Sequence, residues 1–238
     1  MANGINLAGA SMIRQQARQE AVTNNLANLS TPGFKATRVF QEVLEGVGTE
    51  ATREAAGTGS YYIDFAQGTI RPTGADLDLA IDGEGFFTVL TPNGERYTRD
   101  GGFSLSGDGT LIDRSGYPVL GEGGPIVLDG PGEVEVDEAG GIRVGGSPVG
   151  DLEIKNFENK DRLIHEGSGL LAPRPGARLT EIEPEATVHQ RCLEESNVNT
   201  MQETVRMTTL LRGYEASQRM LQLQSEALGR VVNELVQG

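Results

Sequence analysis

An α+β protein is predicted, with an α-helix at each end of the chain around a central antiparallel all-β domain. Three observations carry this. Apolar residues recur at alternating spacings of three and four near both ends, which is the period of a helix seam. Between them the period falls to two and turn residues return every few positions. Charge and glycine divide along the same borders. Of the net charge of −14, residues 36–193 hold the whole excess, with 27 acidic against 13 basic residues. The same stretch holds 27 of the 33 glycines and nine of the ten prolines. Two nearly neutral ends therefore flank an acidic, turn-rich centre.

The first helix is expected from Ile5 to Leu29. Its seam is Ile5, Ala8, Met12, Gln15, Gln19, Val22, Leu26 and Leu29, apolar at six of eight positions. Such a helix is marginal alone in water and needs a partner surface. Asn24, Asn25, Ala27 and Asn28 fit its last turns and its exit. Thr31-Pro32-Gly33 then turns the chain before Phe34. Proline presets the second turn position and glycine supplies a positive φ at the third. The residue before proline is pushed out of the α region, so the helix stops short of it.

Residues 35–68 form a connecting segment. Val39, Phe40, Val43 and Leu44 suit a short helix or an extended piece, and Glu50 to Ser60 reads as a loop. Tyr61, Tyr62, Ile63 and Phe65 resemble a strand. The β domain is expected over 69–177. Asp76 to Ile81 alternates cleanly, Gly85 to Leu90 follows, and Pro92-Asn93-Gly94 turns into Glu95 to Thr98 as a hairpin. Asp108-Gly109 separates Phe103–Leu105 from Thr110–Ile112. Further short strands are Tyr117–Leu120, Ile126–Leu128, Val134–Val136, Ile142–Val144, Leu152–Phe157 and Leu170–Ala172. A return segment, 178–193, includes the strand Thr187–Val188.

The last segment, 194–238, is read as a helix from about Val198 to Val236. Met207, Leu210, Tyr214, Ser217, Leu221, Gln224, Leu228, Val231 and Leu235 make its seam. Asn199 with Gln202, or Thr200 with Glu203, caps its start. At 1.5 Å per residue it spans about 57 Å, against about 38 Å for the first helix. The two seams pair most simply with each other, antiparallel, and the remaining apolar surface needs other subunits.

Residues with the makings of chemistry are few and scattered. His165, His189 and Cys192 are the only imidazoles and the only thiol. His189 and Cys192 lie three apart, but two ligands do not make a zinc site. No disulfide can form within the chain. Asp76, Asp78 and Asp82 lack the order and closing glutamate of an EF-hand. Gly83-Glu84-Gly85 and Gly121-Glu122-Gly123-Gly124 are turns, with no Lys-Ser/Thr following as a phosphate loop requires. No catalytic residue, metal or cofactor is expected. Arg96 and Arg99 flank Tyr97 as an interface pair or a solvated face. The acidic centre argues against nucleic acid and anionic membrane as partners. No apolar run reaches the roughly 18 residues of a membrane span. No basic-then-apolar leader is present, so no cleaved signal peptide is expected.

Asn25-Leu26-Ala27-Asn28 followed by Ser30-Thr31-Pro32-Gly33-Phe34-Lys35 resembles the N-terminal signature of the flagellar rod and hook axial proteins. Gln67-Gly68-Thr69-Ile70 with Asp76 to Phe87 resembles that family's central motif, as does Tyr97 to Phe103 through Gly116-Tyr117-Pro118-Val119-Leu120-Gly121. Leu193-Glu194-Glu195-Ser196-Asn197-Val198-Asn199 with Glu203 resembles its C-terminal signature. The four motifs stand in family order over nearly the full length.

The resemblance implies an inner domain of paired terminal helices, an outer β domain, and polymerisation into the tubular axis of the basal body. It implies self and other axial subunits as partners, and export by the flagellum's own type III apparatus. Asn24 to Asn28, Thr31 to Phe34 and Ser196 to Asn199 would then be assembly motifs. Within the family, the chain length and the Ala21-Val22-Thr23-Asn24-Asn25 lead-in resemble proximal rod members more than distal ones. Outside it, the competing reading is an oligomeric adhesive or ligand-binding β module flanked by helices.

Overall fold

The computed structural model describes residues 2–39, 61–130 and 132–237, with side chains described from Gln15 onward and through Met220, and at Gln222. Phe40, Val43, Leu44 and the Glu50–Ser60 loop lie outside the described residues. So do the side chains of Met12, Leu221, Leu228, Val231 and Leu235, although their backbones are helical.

Helix α1 is Ala2–Ala27 and α2 is Thr200–Gln237. The first ends two residues before Leu29. There Thr31 N–H bonds to Asn28 C=O at 3.2 Å and Phe34 N–H to Thr31 C=O at 3.3 Å, so consecutive turns replace the last helical turn. The second starts at a cap made by Asn199, whose Oδ1 accepts from Gln202 N–H at 3.1 Å. That satisfies one of the donors a helix start leaves free.

The helices pack on each other and run antiparallel. Gln15 meets Leu210 and Gly213, whereas Ala21 and Val22 share a groove with residues 203–210. Gln15, a polar break in the α1 seam, donates from Nε2 to the Leu210 carbonyl at 3.0 Å. Gly213 makes room for it, since a Cβ there would lie 2.5 Å from that nitrogen. These helices, with Thr37–Val39, Tyr61 and Tyr62, form one compact unit.

Residues 28–36 and 63–198 form the other compact unit, which is antiparallel β. Its largest sheet has six strands in the order Leu163–Gly167, Leu170–Pro173, Gly94–Thr98, Phe86–Thr91, Ile154–Phe157, Glu181–Ile182. A three-stranded sheet follows the chain through Val134–Val136, Gly141–Val144 and Ser147–Asp151. The return segment pairs with the start of the unit: Ala186–Gln190 lies along Leu79–Gly83, and Cys192–Glu194 along Ile70–Pro72. The main core gathers Ile81, Phe87, Val89, Leu111, Val119 and Val188. A second, aromatic cluster contains Phe86, Tyr97 and Phe157, with the Tyr97 and Phe157 rings 4.7 Å apart.

Two local expectations change. Asp76 to Ile81 alternates in sequence, yet the strand is Leu79–Gly83 and Leu79, Ala80 and Ile81 are buried in succession. It is therefore covered on both faces rather than one. Ile126–Leu128 and most of Tyr117–Leu120 make single bridges, Thr110 to Val127 and Val89 to Val119, rather than a continuous ladder. Pro118 itself bridges Ile112, and Pro125 pairs with Leu120, so this region is joined by short pairings to several neighbours.

Candidate functional site

In the β unit, the segment that follows α1 and the segment that precedes α2 are tied into one buried clasp. Gly33 N–H bonds to Glu194 C=O at 2.7 Å, and Asn197 N–H to Phe34 C=O at 3.3 Å. The Asn197 side chain joins three backbones: Oδ1 accepts from Ala36 N–H at 2.8 Å, while Nδ2 donates to Asp64 and Ala66 carbonyls at 2.7 and 2.9 Å. Beneath this lies a charged knot. Lys35 Nζ is 2.6 Å from Glu194 Oε1 and donates also to Ala66 C=O at 2.9 Å. Glu194 Oε1 accepts from Gly68 N–H at 2.7 Å, and its Oε2 faces Arg99 at 3.3 Å. Arg99 continues to the Gly83 carbonyl at 2.6 Å and lies over the Phe86 ring.

The Glu194 side chain is 0% exposed and that of Lys35 2%. Burial pulls both Lys35 and Arg99 below their ordinary values, and Glu194 opposes the shift in each case. One carboxylate thus sits between two cations, with its remaining acceptor capacity used by a backbone N–H. This is the pattern a buried charge needs to persist.

Gly33 closes the corner. Its φ is +65°, and a Cβ there would lie 2.2 Å from the Arg99 carbonyl carbon. Phe34, Ala36 and Val198 form a small core with Leu29 against it. The Phe34 ring stacks on His165 at 5.0 Å, and His165 Nε2 lies 2.9 Å from the Lys35 carbonyl. A carbonyl can only accept, so that nitrogen carries the hydrogen. Burial lowers the His165 pKa, against the pull of this bond.

The helical unit holds its own polar lock and a groove. Asn25, 1% exposed, accepts from Thr37 N–H and donates to Thr37 C=O, both at 2.8 Å. Its amide thus acts as a one-residue strand partner. The groove, of about 440 Å³, lies between α1, Thr37–Val39, Tyr62 and α2. Glu203 lines it, buried, with Oε1 2.6 Å from Arg206 Nη1. Its Oε2 is buried with no hydrogen-bond partner.

The remaining motif residues are placed as follows. Asn24 and Ala27 are exposed, and Leu26 and Pro32 are half-buried. Asn28 Oδ1 accepts from Thr31 Oγ1 at 3.2 Å, and Ser196 Oγ accepts from Val198 N–H at 3.3 Å. Along the seam, Val22 is buried, Met207 and Leu210 are half-buried, and Tyr214 is 38% exposed. Leu29 lies beyond the helix, in the small core with Phe34. Arg96 and Arg99 part company: Arg96 pairs with Glu166 at the surface, whereas Arg99 enters the clasp. His189 lies near Asp82, apart from Cys192, and among the described residues no group of three metal-ligating side chains gathers. No helix among the described residues is long and apolar enough to cross a membrane. Lys35, Arg99 and Glu194 were not among the residues the sequence singled out as a site, although each lies in or beside a quoted motif.

Three family models match in chain order. Residues 5–35 match the flagella basal body rod protein family, and 80–145 the flagellar hook protein FlgE/F/G D1 domain. Residues 189–235 match the flagellar basal body rod FlgEFG protein C-terminal region. Among curated relatives, the flagellar basal-body rod protein FlgF of Mesorhizobium japonicum is 31% identical, over 99% of this chain and 98% of its own. FlgF of Caulobacter vibrioides is 32% identical over 91% of each chain. FlgG of Bacillus subtilis is 30% identical over 92% of this chain and 93% of its own. With relatives of this identity aligned from end to end, and family models on both helices and the sheet between them, the chain belongs to the flagellar basal-body rod protein family, whose members are structural rod subunits and not enzymes.

Proposed function

We propose that this rod subunit polymerises through the outer faces of its two helices, with copies of itself and with other axial subunits. The observation that carries this is what α2 leaves uncovered. After packing on α1, it still exposes Met201, Val205, Leu211 and Met220, at 77, 61, 47 and 62%. Apolar side chains so exposed along one helix gain by being covered, at about 25 cal/mol per Å² of apolar surface. A contact repeated head to tail without closure extends into a helical filament. The helices would form the inner layer and the acidic β domain, 69–177, the outer one.

The reading extends to place and route. The chain fits the proximal rod position of FlgF better than the distal position of FlgG. Its length and its lead-in to the first motif favour this, and so do FlgF relatives of 31–32% identity beside FlgG relatives of 29–31%. Export through the flagellar type III apparatus belongs to the same reading.

The test uses Leu211→Asp and Met220→Asp, both at exposed positions, so that the subunit itself is undisturbed. Purified basal bodies from cells carrying either variant should lack the chain, and the cells should not swim. Rods of normal content in both variants would overturn the proposal. Gold labelling of the wild-type chain at the membrane-proximal end of the rod separates the proximal reading from the distal one.

A further inference from the structure

The tip of one hairpin in the β unit carries a reactive pair that lies outside the clasp and outside the helices. Thr91-Pro92-Asn93-Gly94 turns Phe86–Thr91 into Gly94–Thr98, and Pro92, Asn93 and Gly94 are exposed. Asn28, Asn93, Asn156, Asn159 and Asn197 are the asparagines of the β unit, and only Asn93 is followed by glycine. Glycine has no Cβ to shield its nitrogen, so that nitrogen can reach the preceding side-chain amide. The space around Gly94 is open as well. Its φ is +100°, and an added Cβ would have only Arg96 Nη1 within 4 Å, at 3.9 Å.

Three side chains hold the pair. Thr91 Oγ1 accepts from Asn93 N–H at 3.3 Å and donates to Gly94 C=O at 2.8 Å. Arg96 Nη1 donates to the Asn93 carbonyl at 3.1 Å. A cation on that carbonyl favours the anionic form of the Asn93–Gly94 peptide, so its nitrogen gives up a proton more readily. Arg96 also reaches across Leu170–Pro173 to Leu163–Gly167, where its Nε and Nη2 hold both carboxylate oxygens of Glu166. The Asn93 side chain hydrogen-bonds to the same carboxylate.

We propose that Asn93 is a site of spontaneous deamidation, and that the carboxylate formed there competes with Glu166 for Arg96. The Gly94 nitrogen forms a bond to Asn93 Cγ, and the Cγ–Nδ2 bond breaks. The proton from Gly94 N leaves with the departing ammonia. Water then opens the five-membered succinimide at either carbonyl, giving aspartate at 93 or iso-aspartate. Nothing is oxidised or reduced, and the chain gains one negative charge. A donor to Glu166 is thereby replaced by a like charge beside it, within reach of the guanidinium that Glu166 holds. The tie from Gly94–Thr98 to Leu163–Gly167 then weakens.

The full chain, kept in mildly alkaline buffer and sampled over weeks by peptide mapping, tests the site. Asn93 should gain about one dalton, partly as iso-aspartate, at least tenfold faster than Asn28, Asn156, Asn159 or Asn197. Gly94→Ala places a methyl beside the attacking nitrogen and should slow the conversion at least tenfold. Conversion no faster than at the other four, or unaffected by Gly94→Ala, would overturn the site. Asn93→Asp supplies the product directly and reads its consequence. Amide exchange over Leu163–Gly167 should rise about two- to fivefold, the range that loss of a surface ion pair supports. Glu166→Gln should raise it similarly by itself and leave Asn93→Asp without further effect. Unchanged exchange in Asn93→Asp, or an equal further rise in the Glu166→Gln background, would overturn the competition for Arg96.

Discussion

Lys35 and Glu194 are 159 positions apart in the chain, yet Nζ and Oε1 meet at 2.6 Å with both side chains closed off from water. They belong to the segment that follows α1 and the segment that precedes α2. The pair therefore fixes, within the β unit, the points at which both chain ends leave it.

Breaking this pair should be far more damaging than breaking the exposed pair beside it. Glu194→Ala leaves two buried cations, Lys35 and Arg99, without their carboxylate, and such losses cost about 3–5 kcal/mol. Glu195, the next residue, pairs with Arg71 at 2.9 Å, but both are half or more exposed. Glu195→Ala should cost no more than about 1 kcal/mol. Urea unfolding of the full chain, followed by near-ultraviolet signals from the β unit, measures both. Similar midpoints for the two variants would show that the knot contributes no more than a surface pair.

Gly33→Ala should destabilise the β unit for two separable reasons. A positive φ strains any residue with a Cβ, by about 1–2 kcal/mol. At Gly33 the added carbon also meets the Arg99 backbone at 2.2 Å, so the corner must open. Gly74 isolates the first effect, since its φ is +81° and nothing lies within 4 Å of a Cβ there. Thermal melts should show Gly74→Ala modestly lowered and Gly33→Ala lowered several times further.

His165 gives the β unit a definable acid sensitivity. Its folded pKa lies below the ordinary 6.5, chiefly through burial, so the folded state resists protonation. A group with a depressed folded pKa contributes stability that is full above its unfolded value and is lost as pH falls toward the folded one. Stability should therefore decline as pH falls below about 6.5 in the wild type. His165→Gln keeps a donor within reach of the Lys35 carbonyl but cannot titrate. Its decline over pH 6.5 to 5 should be shallower; parallel curves would place the acid sensitivity elsewhere.

What could be read in the sequence followed from local physics. Both helices and the Asn199 cap follow from periodicity and end chemistry, and the Asn93-Gly94 hairpin from turn chemistry. The clasp did not, because charged residues such as Lys35 and Arg99 read as solvated until distant chain brings a partner. Arg96 and Arg99 show the limit well: three apart around one tyrosine, one is paired at the surface and the other is buried against Glu194. Asn25 is legible as a helix-end amide, but its two hydrogen bonds to Thr37 depend on a turn completed seven residues after the helix ends, at Phe34. The succession of buried residues at Leu79, Ala80 and Ile81 likewise arises from cover that Ala186–Gln190 and the rest of the unit bring from far along the chain.

That long return sets where a self-folding fragment must begin and end. The β-rich stretch 69–177 contains most of the strands but lacks Ala186–Gln190, which pairs along Leu79–Gly83 and brings Val188 into the main core. It also lacks Cys192–Glu194, and with Glu194 goes the carboxylate that Arg99 needs. Arg99 would then be left in an apolar setting against Phe86 with no counter-charge. A fragment of 28–198 keeps the strand pairings, the Lys35–Glu194–Arg99 knot and the Phe34–Val198 core, and omits only the two helices. It should unfold cooperatively with a well-resolved amide spectrum, whereas 69–177 should show poor dispersion and no sharp transition. Comparable cooperative unfolding of both would mean that the clasp and the return strands add nothing essential to the β unit.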